Sequence, residues 1–222
     1  MQDRNLLSAL PDDLSKRLLA KGHSIKVEAG RMLFPAGEPG DGCYYVDQGL
    51  LKVSVLSASG NERILAIMGP GSLIGELSML DQGPRSAAVA AVKDSQLRFI
   101  GRAQFLAFAE ANPEVYKHLV AMLAQRLRMT NSAIAAASFL SLKGRVARAL
   151  LDLAQAFGQD AGSGRILIRQ KISQSDLAAI AGIARENVSR ILAVWKKESV
   201  VSWLAGYYCL ENTETLAREA AL

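Results

Sequence analysis

Residues 173–192 read SQSDLAAIAGIARENVSRIL, and this stretch decides how the C-terminal part of the chain folds. Ser173 is a good helix N-cap residue, and Asp176 follows three positions later, at the spacing of a capping box. Apolar residues then recur at helical spacing as far as Ala181. Gly182 supplies a position that tolerates positive φ, as a sharp turn between two helices requires. The pattern predicts two short helices joined by a tight turn.

A second helix is predicted from Arg185 to Lys197, because its apolar residues again share one side. Those residues are Val188, Ile191, Leu192 and Trp195. Arg185, Glu186 and Arg190 project elsewhere, and in a helix-turn-helix this part of the second helix enters the major groove of DNA. Arginine can bond guanine in bidentate fashion and glutamate can accept from cytosine, so the three side chains form a small base-reading set. An ordinary helical hairpin with exposed charges is the competing interpretation.

The positive charge of the chain is concentrated around this motif. The full sequence has 26 Lys or Arg and 21 Asp or Glu, a formal net charge of +5. Residues 140–199 alone hold ten Lys or Arg and five Asp or Glu. A locally basic segment is what phosphate binding needs, although on charge alone a solvated helix face is the simpler interpretation.

Composition argues against several classes of protein. The sequence has no run of 18 apolar residues, so we expect no membrane-spanning helix and no membrane partner. Residues 1–17 mix acids and bases and lack the apolar centre of a signal peptide. Cys43 and Cys209 are too few and too far apart for a disulfide framework or a thiolate-bound cluster. A cytoplasmic protein without a bound metal is expected.

Residues 25–100 favour a β-rich domain. Short β-forming runs at 43–46, 50–56, 63–68 and 96–100 are separated by turn signals that contain Gly and Pro. Many short strands at this spacing predict a barrel or a sandwich.

One segment of that domain has the residues of an anion site. Residues 71–77 read GSLIGEL, and residues 81–89 read DQGPRSAAV. Arg85 supplies a fixed cation, while Ser86 and the small residues around it expose backbone N–H groups, as a cyclic phosphate needs. Glu76 supplies an acceptor for a ribose hydroxyl. A surface turn with an Arg–Glu ion pair is the competing interpretation.

A long helix is predicted between the two regions. Asn112 can cap it, Pro113 suits its first position, and no further Gly or Pro interrupts it before about Ala137. One stripe along it repeats in steps of four and three residues, the rhythm of a paired helical seam. The stripe consists of Leu123, Leu127, Thr130, Ile134 and Ala137. A helix packed on its own domain would show the same periodicity.

The rest of the C-terminal region completes an α+β fold. The further predicted elements are a helix over 142–157, a loop over 158–164, a strand over 166–168 and a hairpin over 200–210 with Gly206 near its turn. The predicted domains are a ligand-binding β-domain over 1–111, a dimerisation helix over 112–138 and a winged helix-turn-helix domain over 139–222.

The chain resembles the Crp/Fnr family of cyclic-AMP-responsive transcription regulators over nearly its whole length. The resemblance is most specific in Gly75-Glu76-Leu77 with Arg85-Ser86-Ala87, in Thr130 and in residues 183–192. It implies an N-terminal antiparallel β-roll that binds a cyclic nucleotide, a long dimerisation helix and a C-terminal winged helix-turn-helix. It also implies a homodimer that binds palindromic promoter DNA in response to cyclic AMP and is not an enzyme.

The resemblance assigns roles to the residues of the β-roll. Glu76 would accept the ribose 2′-hydroxyl, and Arg85, with Ser86 and nearby backbone N–H groups, would hold the cyclic phosphate. Gly75, Leu77 and Ala87 belong to the same site.

Three residues of the long helix match ligand positions as well. Arg126 would lie near the phosphate, Thr130 would face the purine, and Asn131 would reach the nucleotide of the partner subunit.

In the second domain, Arg185, Glu186 and Arg190 match the base-reading positions of the family, and Asn187 is a further expected DNA-binding residue. The residues that match phosphate contacts are Lys171, Ser173 and Gln174. The loop 158–164 stands where family members touch RNA polymerase, which is therefore an expected partner.

Other functions fit the sequence less well. The same fold could sense cyclic GMP, cyclic di-GMP, haem or an iron–sulfur cluster, but the ligands for the last two are limited to the scattered His23, His118, Cys43 and Cys209. The chain has no nucleophile–base pair, metal-spaced cluster or Walker-type glycine loop, so an enzyme is not expected. A cyclic-nucleotide-binding module that regulates another protein would not need the basic helix-turn-helix.

Overall fold

The structure is a computed structural model that describes residues 11–221. The chain divides into two units, the first ending at Leu127 and the second beginning at Arg128. This division falls inside the long helix, and the boundaries expected after residues 111 and 138 stay a prediction. No helix within the described range is long and apolar enough to cross a membrane.

The first unit is a β-rich domain flanked by short helices. Its elements in chain order are α1 (Asp12–Leu19), β1 (His23–Val27), β2 (Met32–Phe34), β3 (Gly42–Leu56), β4 (Glu62–Met68), β5 (Leu73–Ile74), α2 (Glu76–Asp81), β6 (Ala88–Gly101) and α3 (Arg102–Ala111). The strands form one antiparallel sheet in the order β1-β6-β3-β4, with β2 also paired to β6 and β5 to β3. The predicted antiparallel β-roll is confirmed.

The predicted runs 43–46 and 50–56 belong to one long strand, β3. Register shifts against β6 in the middle of β3 let the strand bend without ending. Gly49 lies at this bend: its φ is +103°, and an added Cβ would come within 2.5 Å of the Ser95 Cα atom.

Buried apolar side chains stabilise the first unit inside the roll and beneath the helices. The cluster inside the roll is formed by Phe34, Val46, Leu51, Met68, Ile74, Val89 and Leu97. A second cluster joins α1 and α3 through residues such as Leu18 and Phe105. Each large apolar side chain buried in this way stabilises the fold by about 1.5–3 kcal/mol.

The long helix α4 (Glu114–Phe139) begins in the first unit and ends in the second. Asn112, predicted as its cap, uses its amide to close the preceding helix, since Nδ2 donates to Phe108 O at 2.8 Å. One side of α4 is buried in the first unit through Val115, Leu119 and Met122.

A different side of α4 is apolar and exposed. Val120, Leu127 and Ile134, spaced by seven residues, are 63%, 62% and 60% exposed. Of the predicted stripe, Leu123 packs against the buried cluster of the first unit, whereas Leu127 and Ile134 are exposed.

The second unit is a helical domain with a small sheet. After α4 its elements are α5 (Leu142–Phe157), β7 (Gly158–Asp160), β8 (Ile166–Ile168), α6 (Gln174–Ala181), α7 (Arg185–Lys197), β9 (Val201–Leu204), β10 (Tyr207–Leu210) and α8 (Thr213–Glu219). The strands form an antiparallel sheet in the order β7-β8-β10-β9. The expected loop 158–164 is wrong in its first residues, because these form β7 and pair with β8. The helix-turn-helix and the closing hairpin are confirmed.

Candidate nucleotide pocket and DNA-reading face

The first unit places several predicted pocket residues around the turn that opens α2. Gly75 has a φ of +79°, and an added Cβ there would lie 2.4 Å from the Arg85 Nη1 atom. A side chain at this position would be strained and would displace the guanidinium, so glycine is required. The next residue, Glu76, is buried, whereas Leu77 is exposed.

Arg85 is 5% exposed, and neutral groups bind one edge of its guanidinium. Its Nη1 atom donates to Gly75 O at 2.8 Å, to the Ser78 hydroxyl at 2.8 Å and to Gly42 O at 2.9 Å. Within residues 11–221 its ion-pair partner is Asp41, whose Oδ1 lies 3.9 Å from Nη2 and whose side chain is 84% exposed. A buried cation needs a close negative charge to offset its loss of hydration. The guanidinium therefore has the chemistry to receive an anion.

Two aromatic rings also approach this guanidinium. The Arg85 Cζ atom lies 4.3 Å from the centre of the Phe34 ring and 5.7 Å from that of Tyr44. The two ring centres are 5.7 Å apart. Neither residue was among the predicted site residues, because nothing in the local sequence links β2 or β3 to Arg85.

The structure joins Glu76 to Arg126, two predicted site residues that are far apart in sequence. Arg126 Nη1 donates to Glu76 Oε1, and Arg126 Nη2 donates to Leu73 O at 2.6 Å. The arginine thus fixes the carboxylate from α4. Since a carboxylate can accept about four hydrogen bonds, this ion pair leaves capacity for a ligand hydroxyl.

The remaining predicted ligand residues differ in exposure. Ser86 is exposed next to the buried Arg85, and Ala87 is buried. Thr130 and Asn131 are exposed on the part of α4 that belongs to the second unit.

Neither cysteine has the properties of a reactive or metal-binding thiolate. Burial, with a smaller contribution from the charge of Glu76, raises the pKa of the Cys43 thiol to about 12. Cys209 is buried too, and burial raises its pKa. Both sulfurs are therefore protonated at neutral pH.

In the second unit, the capping box that opens α6 is confirmed. The Ser173 hydroxyl accepts from Asp176 N at 3.0 Å and donates to Asp176 Oδ2 at 2.6 Å. Gly182 ends the helix with a φ of +67°. Ser173 thus acts first as a helix cap, and its hydroxyl proton is directed to Asp176.

The second helix of the motif exposes the predicted base-reading side chains. Arg185, Glu186 and Arg190 are exposed on α7, while the apolar side of the helix is buried. Together with Gln174 of α6 and Ser189, they line one shallow depression of the surface. Ser189 was not predicted, although it lies one helical turn after Arg185.

Several of the side chains predicted to bind DNA also contact residues of their own domain. Arg190 Nη2 donates to Asn187 Oδ1 at 2.6 Å, which holds the arginine along the helix. The exposed Lys171 ammonium lies 5.6 Å from the centre of the Tyr207 ring on the β9–β10 hairpin. On the same hairpin, the half-exposed Trp203 packs against Tyr208 with ring centres 5.2 Å apart.

Comparison with known proteins finds a family match for each of the two units. Residues 24–112 match the cyclic nucleotide-binding domain, and residues 144–219 match the Crp-like helix-turn-helix domain. The chain is 34% identical over 191 residues to the CRP-like cAMP-activated global transcriptional regulator of Mycobacterium tuberculosis, a match that covers 86% of this chain and 85% of the relative. The chain belongs to the Crp/Fnr family of transcription regulators.

Further relatives of this Crp/Fnr regulator come from Thermus thermophilus. Its Cyclic AMP receptor protein is 39% identical over 172 residues, which cover 78% of this chain and 76% of the relative. The crystal structure of the catabolite activator protein from this organism is 34% identical, with a TM-score of 0.56 and coverage of 97% of both chains.

Membership establishes the coarse function of this Crp/Fnr regulator. It is a cyclic-nucleotide-responsive, DNA-binding regulator of transcription, and the family is one of regulators rather than enzymes. The predictions of family, fold class and general function are confirmed at this level.

Proposed function

We propose that this Crp/Fnr regulator binds cyclic AMP in its first unit and, as a homodimer, binds palindromic promoter DNA. The observation that carries the ligand proposal is the buried Arg85 guanidinium, whose Nη1 edge is held by neutral acceptors and whose ion-pair partner, Asp41, is 3.9 Å away. A cyclic phosphate would bring a negative charge closer to this cation than the 3.9 Å of the Asp41 contact. The two relatives at 34% and 39% identity carry names that refer to cyclic AMP, which supports adenine as the base.

The roles of the pocket residues follow from their chemistry. Arg85, with Ser86 and the backbone at Ala87, binds the phosphate. Glu76, oriented by Arg126, accepts from the ribose 2′-hydroxyl, and the positive φ of Gly75 leaves room for the guanidinium. Leu77 contributes its backbone to the same turn.

Selectivity for the base is assigned to the long helix. Thr130 faces the purine, and Asn131 reaches the nucleotide bound by the partner subunit. An amide side chain both donates and accepts, so Asn131 is the residue at which a preference for cyclic GMP would arise.

The dimer is proposed to form along the exposed apolar stripe of α4. Val120, Leu127 and Ile134 expose more than half of their surface, and exposed apolar side chains that repeat every seven residues are typical of a helical interface. Heptad spacing suits a paired helix, with Thr130 as a polar residue within the seam. In such a dimer the two α7 helices would lie ~34 Å apart, one turn of DNA.

On DNA, Arg185, Glu186 and Arg190 read base edges, with Asn187 holding Arg190. Lys171, Gln174 and Ser173 at the capping turn contact phosphates of the DNA backbone. Contact with RNA polymerase near residues 158–164 and a cytoplasmic location complete the proposal.

Isothermal titration calorimetry with cyclic AMP, cyclic GMP and cyclic di-GMP tests the ligand. We expect cyclic AMP to bind most tightly and Arg85→Gln to weaken that binding by roughly 1.5–3 kcal/mol, the contribution of a charge-assisted hydrogen bond. Arg98→Gln is the matched control, because Arg98 belongs to the same domain and bonds Asp47 and Leu19 O. Tighter binding of another nucleotide would overturn the choice of ligand, and equal binding by Arg85→Gln would overturn the pocket.

A further inference from the structure

The guanidinium of Arg85 is fixed on one edge and one face by residues outside the predicted pocket. Ser78 accepts from Nη1 at 2.8 Å, and the Phe34 ring centre lies 4.3 Å from Cζ. Phe34 and Ser78 are 7% and 1% exposed, so bulk water does not compete for either contact with the guanidinium. A guanidinium is a planar fork of five N–H donors, so fixing one edge and one face also fixes the direction of the remaining donors.

Two glycines pack closely against the Arg85 guanidinium and Ser78. An added Cβ at Gly40 would lie 2.1 Å from the Ser78 hydroxyl oxygen and 2.9 Å from the Arg85 Cζ atom. At Gly75 it would lie 2.4 Å from Nη1. The guanidinium of Arg85 therefore has little room to change its orientation.

We propose that Phe34 and Ser78 are positioning residues for the nucleotide phosphate. The ring sets the plane of the Arg85 guanidinium and the hydroxyl sets its Nη1 edge, so the Nη2 and Nε edge meets one exocyclic oxygen of the cyclic phosphate in preference to the other. This inference rests on the proposed function, because it requires that Arg85 binds a cyclic nucleotide. It adds two residues that touch the arginine rather than the ligand.

The two phosphorothioate isomers of cyclic AMP, Rp and Sp, test the proposal, because each replaces one exocyclic oxygen by sulfur. We expect the wild-type chain to prefer one isomer. Phe34→Leu should weaken cyclic AMP binding about thirtyfold, the size of one desolvated cation–π contact, and should reduce the preference between isomers. Ser78→Ala should reduce the preference too, and Phe34→Tyr, which keeps the ring, should restore it.

Phe105→Leu is the matched control. Phe105 is a fully buried phenylalanine of the same unit, in the cluster beneath α1 and α3, so its loss lowers stability without altering Arg85. We expect a lower melting temperature and an unchanged isomer ratio. If Phe34→Leu fails to fold, the ratio of Rp to Sp affinities in Ser78→Ala tests the positioning role instead.

The outcomes separate this proposal from the proposed function. A wild-type chain that binds no cyclic nucleotide rejects both. A wild-type chain that binds and discriminates, with Phe34→Leu and Ser78→Ala keeping the wild-type isomer ratio, rejects only the positioning role. A ratio shifted equally by Phe105→Leu rejects it as well.

Discussion

Glu76 and Arg126 show how one ion pair can prepare a buried carboxylate for a neutral ligand group. Glu76 is 2% exposed, and a buried carboxylate without a partner would be costly. Arg126 balances its charge and is itself anchored on Leu73 O. The carboxylate can therefore accept from a ligand hydroxyl without a further cation.

Replacing Glu76 by glutamine should weaken cyclic AMP binding by roughly 1.5–3 kcal/mol, because a hydrogen bond to a charged acceptor is lost. The same change should have little effect on 2′-deoxy cyclic AMP, which lacks the hydroxyl that Glu76 accepts from. Calorimetry with both ligands measures the difference. A variant that still distinguishes the two as well as the wild type does would contradict the ribose role of Glu76.

Arg190→Ala should weaken binding to the preferred DNA site by about 1–3 kcal/mol and relax the preference at one base pair. The reason is that a base-reading arginine is lost while Arg185 remains. Gel shifts on a set of single-base operator variants measure this, with Arg169→Ala as control. Arg169 bonds Gln159 on the small sheet rather than lying on α7. An equal loss on every sequence would mean that Arg190 contacts only phosphate.

For single residues, the sequence predicts contacts between near neighbours in the chain and misses contacts between residues that are far apart in it. Ser173 and Asp176 are three residues apart, so their capping box could be predicted from spacing alone. Phe34 and Arg85 lie on separate elements and meet only because β2 pairs with β6, next to the turn that holds Arg85. No local pattern carries that information.

Among the elements, α4 has two apolar sides, one buried and one exposed. Val115 and Leu119 are buried in the first unit, whereas Leu127 and Ile134 are exposed. The heptad rhythm alone could not distinguish these faces, because both repeat at nearly the same period. Only the folded roll shows which side is already covered.

Leu127→Asp should convert the proposed dimer to a monomer, since a charge would be buried in an apolar helical seam. Analytical ultracentrifugation measures the change. Ala121→Asp is the control, because Ala121 is exposed on α4 outside the heptad stripe. A Leu127→Asp chain that still sediments as a dimer would mean that another surface forms the interface.

Four helices of the described residues, α1, α2, α3 and α8, were not predicted, although α3 and α8 carry helical signals in their sequence. In α3, Phe105, Phe108 and Ala109 have helical spacing and are buried. In α8, the Asn212 side chain caps the helix by accepting from Thr215 N at 2.9 Å. Both helices are short, at ten and seven residues, and follow directly on a strand or turn, so local patterns gave them little weight.

For the whole molecule, one continuous helix carries the chain from the nucleotide-binding unit into the DNA-binding unit. A ligand can change DNA affinity only if it binds two conformations with different affinity. A tenfold effect on DNA binding requires about 1.4 kcal/mol of coupling. The same coupling must appear as a tenfold effect of DNA on nucleotide affinity.

The most direct test of the account is the affinity of the full chain for a palindromic operator, selected from a library, with and without cyclic AMP. Fluorescence anisotropy at fixed salt gives both values, and calorimetry with and without DNA gives the reciprocal. We predict that cyclic AMP tightens DNA binding at least about tenfold and that operator DNA tightens cyclic AMP binding by the same factor. Equal DNA affinity in the presence and absence of every cyclic nucleotide tested would contradict the account.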